Sequence, residues 1–159
     1  LNELAFAPVD YQENAPIDEW SGDRGVGVQY LSQQCVFRLA PLAGIDLPKA
    51  SPPAEQLLAV QQELEAGHEG ARKIFETMGV YLGYAIAHYA DFYPLKHVLI
   101  LGRCTSGLGG RLLIEQAHRV LDAEFPELAR VNIQLPDERS RRVGQAIAAA
   151  SLPASRLHA

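Results

Sequence analysis

Residues 75–110, FETMGVYLGYAIAHYADFYPLKHVLILGRCTSGLGG, constrain the fold of this chain more than any other stretch. Ala71, Ile74, Phe75, Met78, Leu82, Ala85, Ile86 and Tyr89 recur with a helical period and predict an amphipathic helix over about 68–91. Pro94 ends it. Val98, Leu99, Ile100 and Leu101 then form an unbroken aliphatic run, which predicts a short strand buried on both faces. A glycine-rich loop follows, leading into a second helix over about 108–124 striped by Leu112, Leu113, Ala117, Val120 and Leu121. Helix, strand, loop and helix in this order belong to an open α/β sheet. Ligands of such sheets bind where a loop leaves the carboxyl end of a strand, because the unpaired amides of the next helix attract anions. Gly107, Gly109 and Gly110 lack the G-x-G-x-x-G spacing and no Gly-Lys-Ser/Thr follows, so neither a Rossmann turn nor a P-loop is supported.

The flanking sequence extends this reading. Residues 2–9 alternate Leu4, Phe6 and Pro8 with Glu3, Ala5 and Ala7, the pattern of an edge or terminal strand. A polar loop covers residues 11–22. Val28, Leu31, Cys35 and Leu39 then give one apolar helical face over about 24–40, closed by Pro41 and Gly44. A Pro/Ser-rich connector from Leu47 to Pro53 precedes a short helix over roughly 53–65. Val131, Ile133 and Leu135 alternate as a final strand. The run Asp137-Glu138-Arg139-Ser140-Arg141-Arg142 suits a helix start, with Asp137 or Ser140 as cap, and offers arginines for phosphate as the sharper alternative.

Gly79, Gly83 and Ala87 lie at i, i+4 and i+8 of the long helix, where each glycine costs up to about 1 kcal/mol relative to alanine. Something must come close to them. Gly144 and Ala148 offer a matching small face, which predicts contact between this helix and one over 141–151. A bound adenine is the alternative occupant.

Composition fits one domain. A chain of 159 residues, 48% hydrophobic and 21% charged, buries roughly two-thirds of its unfolded surface. A net charge of -5 gives no attraction for a polyanion, so nucleic-acid binding is not expected. No run approaches the length of a membrane span. Cys35 and Cys104 form no C-x-x-C motif, so reduced thiols in the cytoplasm are expected. Cys104 has two readings: a thiol activated by a helix N-terminus, or an inert buried side chain. The five histidines show no metal-binding spacing.

Gly79, Leu82, Gly83, Ile86 and Ala87, followed by His97 to Leu101 and Gly102, resemble the helix G-x-x-L-G-x-x-I-A and the strand ending in Gly-Gly of the ROK family. These are bacterial sugar kinases and sugar-responsive repressors of the actin-like ATPase superfamily. Near the start, Glu3-Leu4-Ala5-Phe6 stands where the family has Glu-x-Gly-His. The stretch Glu19-Trp20-Ser21-Gly22-Asp23-Arg24-Gly25-Val26-Gly27-Val28 is similar to its Cys-x-Cys-Gly-x-x-Gly-Cys-x-Glu, and Val143 to Ala150 is similar to its closing helix. The resemblance implies an α/β fold, the C-terminal lobe of an actin-like (ribonuclease H-like) ATPase with few strands and packed helices. It also implies that the chain is one lobe of a longer two-lobe protein.

By that resemblance the ligands are a sugar, ATP and Mg2+, with the catalytic aspartate and first phosphate loop in the other half. Zinc is not expected, because Phe6, Glu19, Ser21 and Val26 occupy its four ligand positions. Val28 replaces a sugar-binding carboxylate, which leaves Glu3 as the sugar contact. Gly102, Arg103, Thr105, Ser106 and Gly107 form the expected nucleotide loop. Arg103, in place of the second glycine, either contacts the nucleotide or blocks it, and Thr105 and Ser106 suit capping of the next helix. Three functions follow as expectations: the nucleotide-side lobe of a sugar kinase, inactive alone; a non-catalytic sugar or nucleotide sensor of the regulator type; or a degenerate actin-like domain that forms homo-oligomers.

Overall fold

The computed structural model describes residues 4–47 and 51–135. These form a mixed α/β structure that is mostly helical, with five helices and one two-stranded parallel sheet. The predicted contacts of residues 141–151 and the helix start at 137–142 lie outside the described residues. Among those described, no helix is long and apolar enough to cross a membrane.

Helix α3 runs Pro53–Glu65 and begins with proline, whose missing N–H costs nothing in a first turn. After three intervening residues α4 runs Glu69–Ala90, and His68 caps it, its Nδ1 accepting from the Ala71 amide at 3.3 Å. All eight residues of the apolar stripe on α4 are buried. Strand β1, His97–Leu99, is joined through α5, Gly107–Glu124, to β2, Asn132–Gln134. The strands pair in parallel with Val98 opposite Ile133, so β1, α5 and β2 make one crossover unit.

The small face of α4 is filled by α5. A Cβ on Gly79 would come 2.5 Å from the Leu113 carbonyl oxygen, and one on Gly83 would come 2.7 Å from Val120 Cβ. At both glycines helix contact is thus the occupant of that face, and it leaves no room for an adenine there.

Three expectations need correction. The predicted strand over 2–9 is a 3-10 turn, Leu4–Phe6, followed by a single antiparallel bridge from Pro8 to Val26. Proline has no N–H to continue a ladder. Instead, Val9 and Asp10 both donate to the Gly25 carbonyl, at 2.8 and 3.0 Å. The Gly25 α-carbon sits so close to Asp10 that a Cβ would lie 1.8 Å from its carbonyl oxygen.

The single helix over 24–40 is two, α1, Val28–Leu31, and α2, Gln33–Leu39. Ser32 separates them in an extended conformation. Its hydroxyl donates to the Val28 carbonyl at 2.6 Å and accepts from the Gln34 amide at 3.1 Å, ending one helix and capping the next. The aliphatic run at β1 is covered on one side only. Val98 and Ile100 pack on the core, whereas Leu99 and Leu101 are 57% and 67% exposed.

Residues 5–27 form an irregular cap over the helices, organised by two carboxylates. The buried Asp18 accepts from the Ser21 and Trp20 amides at 2.8 and 3.2 Å and from Gln29 Nε2 at 3.1 Å. These bonds, the Ser21 amide foremost, hold its carboxyl below the ordinary range. They present Trp20, 91% exposed, at the tip of the turn. Asp10 accepts from the Tyr30 hydroxyl and from the Gln12 amide, and the tyrosine is the larger cause of its lowered pKa.

Two outcomes are expected. Gly79→Ala gains helix propensity of about 1 kcal/mol, but the overpacking against a backbone carbonyl costs more, so thermal or urea denaturation should give a net loss of about 1–2 kcal/mol. A variant as stable as the parent would mean that α4 and α5 do not approach this closely. Because Asp10 and Asp18 have lowered folded pKa values, their stabilisation is present above the unfolded value of about 4 and is lost as pH falls below it. Urea midpoints at neutral and acid pH should therefore fall further apart for the parent than for Asp18→Asn, and equal pH dependence would remove Asp18 from the account.

Candidate functional site

The loop after β1 is built around glycine. Gly102 adopts φ 127° and ψ 165°, a conformation nearly confined to glycine. The chain then makes a 3-10 turn over Arg103–Thr105 and enters α5 through Gly107, at φ 62°. Thr105 is buried, and its hydroxyl donates back to the Gly102 carbonyl at 2.7 Å. The hydroxyl thus closes the turn instead of capping the helix. Gly110, in the first turn of α5, lies against this loop, and a Cβ there would sit 2.0 Å from the Thr105 carbonyl oxygen. Ser106 holds the N-cap position of α5, yet its side chain makes no capping hydrogen bond.

The cap comes from α3. Glu65 Oε1 accepts from the Leu108 amide at 3.2 Å, and Gln61 Nε2 donates to the Arg103 carbonyl at 3.1 Å. A carboxylate at the N-terminus of α5 satisfies one of its orphan amides and complements the helix dipole. The anion position expected from the strand-loop-helix pattern is therefore already held by a side chain of the protein. Glu65 and Gln61 were missed in the sequence. The available signal was an acidic residue in the last turn of α3, a position that the helix dipole disfavours and that only an outside partner makes favourable.

On its other side, the loop forms one wall of a cleft of about 380 Å³, lined by Leu31, Ser32, Gln33 and Gln34 from the α1–α2 break and by Leu101 to Cys104. An apolar recess of about 430 Å³ shares Val28, Leu31, Ser32 and Leu101 with it and continues between β1 and α4 to Leu82 and Tyr89. The combined space has a polar end, marked by the exposed Arg103 and the two glutamines, and an apolar end. Among the described residues, neither part is lined by an aspartate, glutamate, lysine or histidine. The described lining has the chemistry to bind an amphipathic ligand.

The expected nucleotide residues thus separate. Gly102 and Arg103 border the cleft. Thr105 is turned into the core, Ser106 and Gly107 form the entry to α5, and Glu3 lies outside the described residues. Cys104 is buried at the inner wall, as in its inert reading, and Cys35 is buried behind it, its thiol pushed up to about 12 by desolvation. Among the described residues no three His, Cys, Asp or Glu side chains gather as a metal site.

No protein-family model matches the chain, and no curated protein or solved structure is significantly similar to it.

If Glu65 caps α5, Glu65→Gln should lower stability by about 0.3–1 kcal/mol and speed hydrogen exchange at the Leu108 amide. An unchanged exchange rate at that amide would show that the carboxylate does not hold it.

Proposed function

We propose that the chain is a nucleotide-binding lobe of a ROK-like sugar kinase, built on the C-terminal lobe of an actin-like ATPase fold. In the complete reaction a sugar hydroxyl attacks the γ-phosphate of Mg-bound ATP, with the catalytic aspartate supplied from another part of the polypeptide. The observation that carries this reading is the cleft at the carboxyl end of β1, within a parallel β1–α5–β2 crossover and walled by a glycine-conformation loop. Base and ribose fit the recess between β1 and α4, and the phosphates extend past Arg103. Because Glu65 already holds the start of α5, the anion partner in this lobe is the Arg103 guanidinium and not the helix amides. The uncovered Leu99 and Leu101 are in keeping with a lobe that packs against further protein.

A non-catalytic nucleotide or sugar sensor is the second reading. It is favoured by the lining of the cleft, which among the described residues holds no carboxylate or histidine.

Titration of the labelled chain with ATP and with adenosine should move amide resonances of Ser32 to Gln34 and Leu101 to Cys104. Arg103→Ala should weaken ATP about tenfold, the worth of one charge-assisted hydrogen bond, and leave adenosine unchanged. If neither ligand perturbs these residues, the cleft is not a nucleotide site, while equal loss for both ligands would remove the phosphate role from Arg103.

A further inference from the structure

A second cavity, of about 200 Å³, lies between the outer face of α4 and the cap, and its wall has a different chemistry. Tyr81, Tyr84 and His88 stand at i, i+3 and i+7 of α4 and so share one helix face. Tyr30 from α1 and Asp10 from the cap face them, and the apolar Val9, Leu31 and Ala85 make up the rest of the lining.

The aromatic walls are held in place. Tyr30 and Tyr81 meet edge to face with centroids 5.3 Å apart. The Tyr84 hydroxyl donates to the Glu124 carboxylate, 2.7 Å from each oxygen, and its ring stands edge-on to Phe125 at 5.9 Å. Asp10 is fixed by the Tyr30 hydroxyl and the Gln12 amide, and its lowered pKa keeps it anionic at neutral pH. Tyr30 already receives one cation. The Arg38 guanidinium carbon lies 5.1 Å from its ring centroid, and Arg38 does not line the cavity.

We infer that this cavity binds a small organic cation, a quaternary or alkylated ammonium group, among the rings of Tyr30, Tyr81 and Tyr84 with Asp10 as its counter-ion. Tyrosine rings present negative faces to a cation, and the contact gains strength where water is excluded. The size suits such a group, since a ligand headgroup of a few heavy atoms fills a cavity of this volume. An anion would be repelled by the Asp10 carboxylate, and a neutral apolar molecule would gain nothing from its charge. The inference is independent of the nucleotide cleft, with which this cavity shares only Leu31 among its lining residues.

The test is a calorimetric and NMR titration of the chain with choline and with its neutral isostere, 3,3-dimethylbutanol, at matched ionic strength. Choline should bind saturably, at least about tenfold more tightly than the alcohol, and should shift the ring resonances of Tyr30, Tyr81 and Tyr84. Tyr81→Leu, which keeps an apolar wall and removes the ring, should weaken choline by about tenfold without changing the affinity for the alcohol. Tyr84→Leu, at a more exposed position, provides the same readout should the first variant fold poorly. Asp10→Asn should weaken choline as well. Equal affinity for cation and alcohol, shifts confined to other residues, or no saturable binding in the millimolar range would each overturn the inference.

Discussion

The close approach of α4 to α5 sets the position of nearly everything else. Two missing side chains on α4 let backbone and small groups of α5 descend onto it: the Leu113 carbonyl at Gly79, and Val120 with the Ala117 carbonyl at Gly83. At the other end of the same contact, Phe75 lies under Gly109, where a Cβ would come 2.6 Å from its ring. The axis and depth of α5 are fixed by these meetings. Since the loop from Gly102 to Ser106 enters α5 and β2 leaves it, the cleft and the strand pairing are fixed with it.

What could be read from the sequence was local. The stripe from Ala71 to Tyr89 and the one from Leu112 to Leu121 each state their own period, and both helices form where that period predicts. The small face on α4 announced a close neighbour, but spacing within one helix cannot say which helix arrives. Likewise an aliphatic run at Val98 to Leu101 reports that the strand is apolar and not which of its sides is covered. Ser32 leaves the apolar spacing of Val28, Leu31, Cys35 and Leu39 intact while breaking the backbone, so hydrophobic period alone passes over it. The cap over residues 5–27 depends on Gly25 meeting Asp10, a contact between segments that no alternation pattern encodes.

The candidate site divides along the same line. In the sequence, the glycines at 102 and 107 belong to a loop expected to bring its backbone close to a ligand, and the structure gives both a positive φ. The polar ties that hold the loop come from Gln61 and Glu65, 42 and 43 residues from their partners. Thr105 and Ser106 have the chemistry of capping residues, yet a carboxylate delivered from α3 and the local turn at Gly102 took those bonds first. In the second cavity, Tyr81, Tyr84 and His88 come from one helix, and they were not singled out from the sequence. Only the fold brings Asp10 and Tyr30 opposite them.

Asp18 has one more consequence, through the residue it displays. Trp20 is the chain's single tryptophan, and its indole stands in water while its amide is held by the Asp18 carboxylate. Its fluorescence in the native state is already that of a solvated chromophore, so melting of the helical core leaves little for it to report. Among the aromatic side chains, Tyr30 and Tyr89 are buried, so their absorption changes on unfolding where the tryptophan's does not.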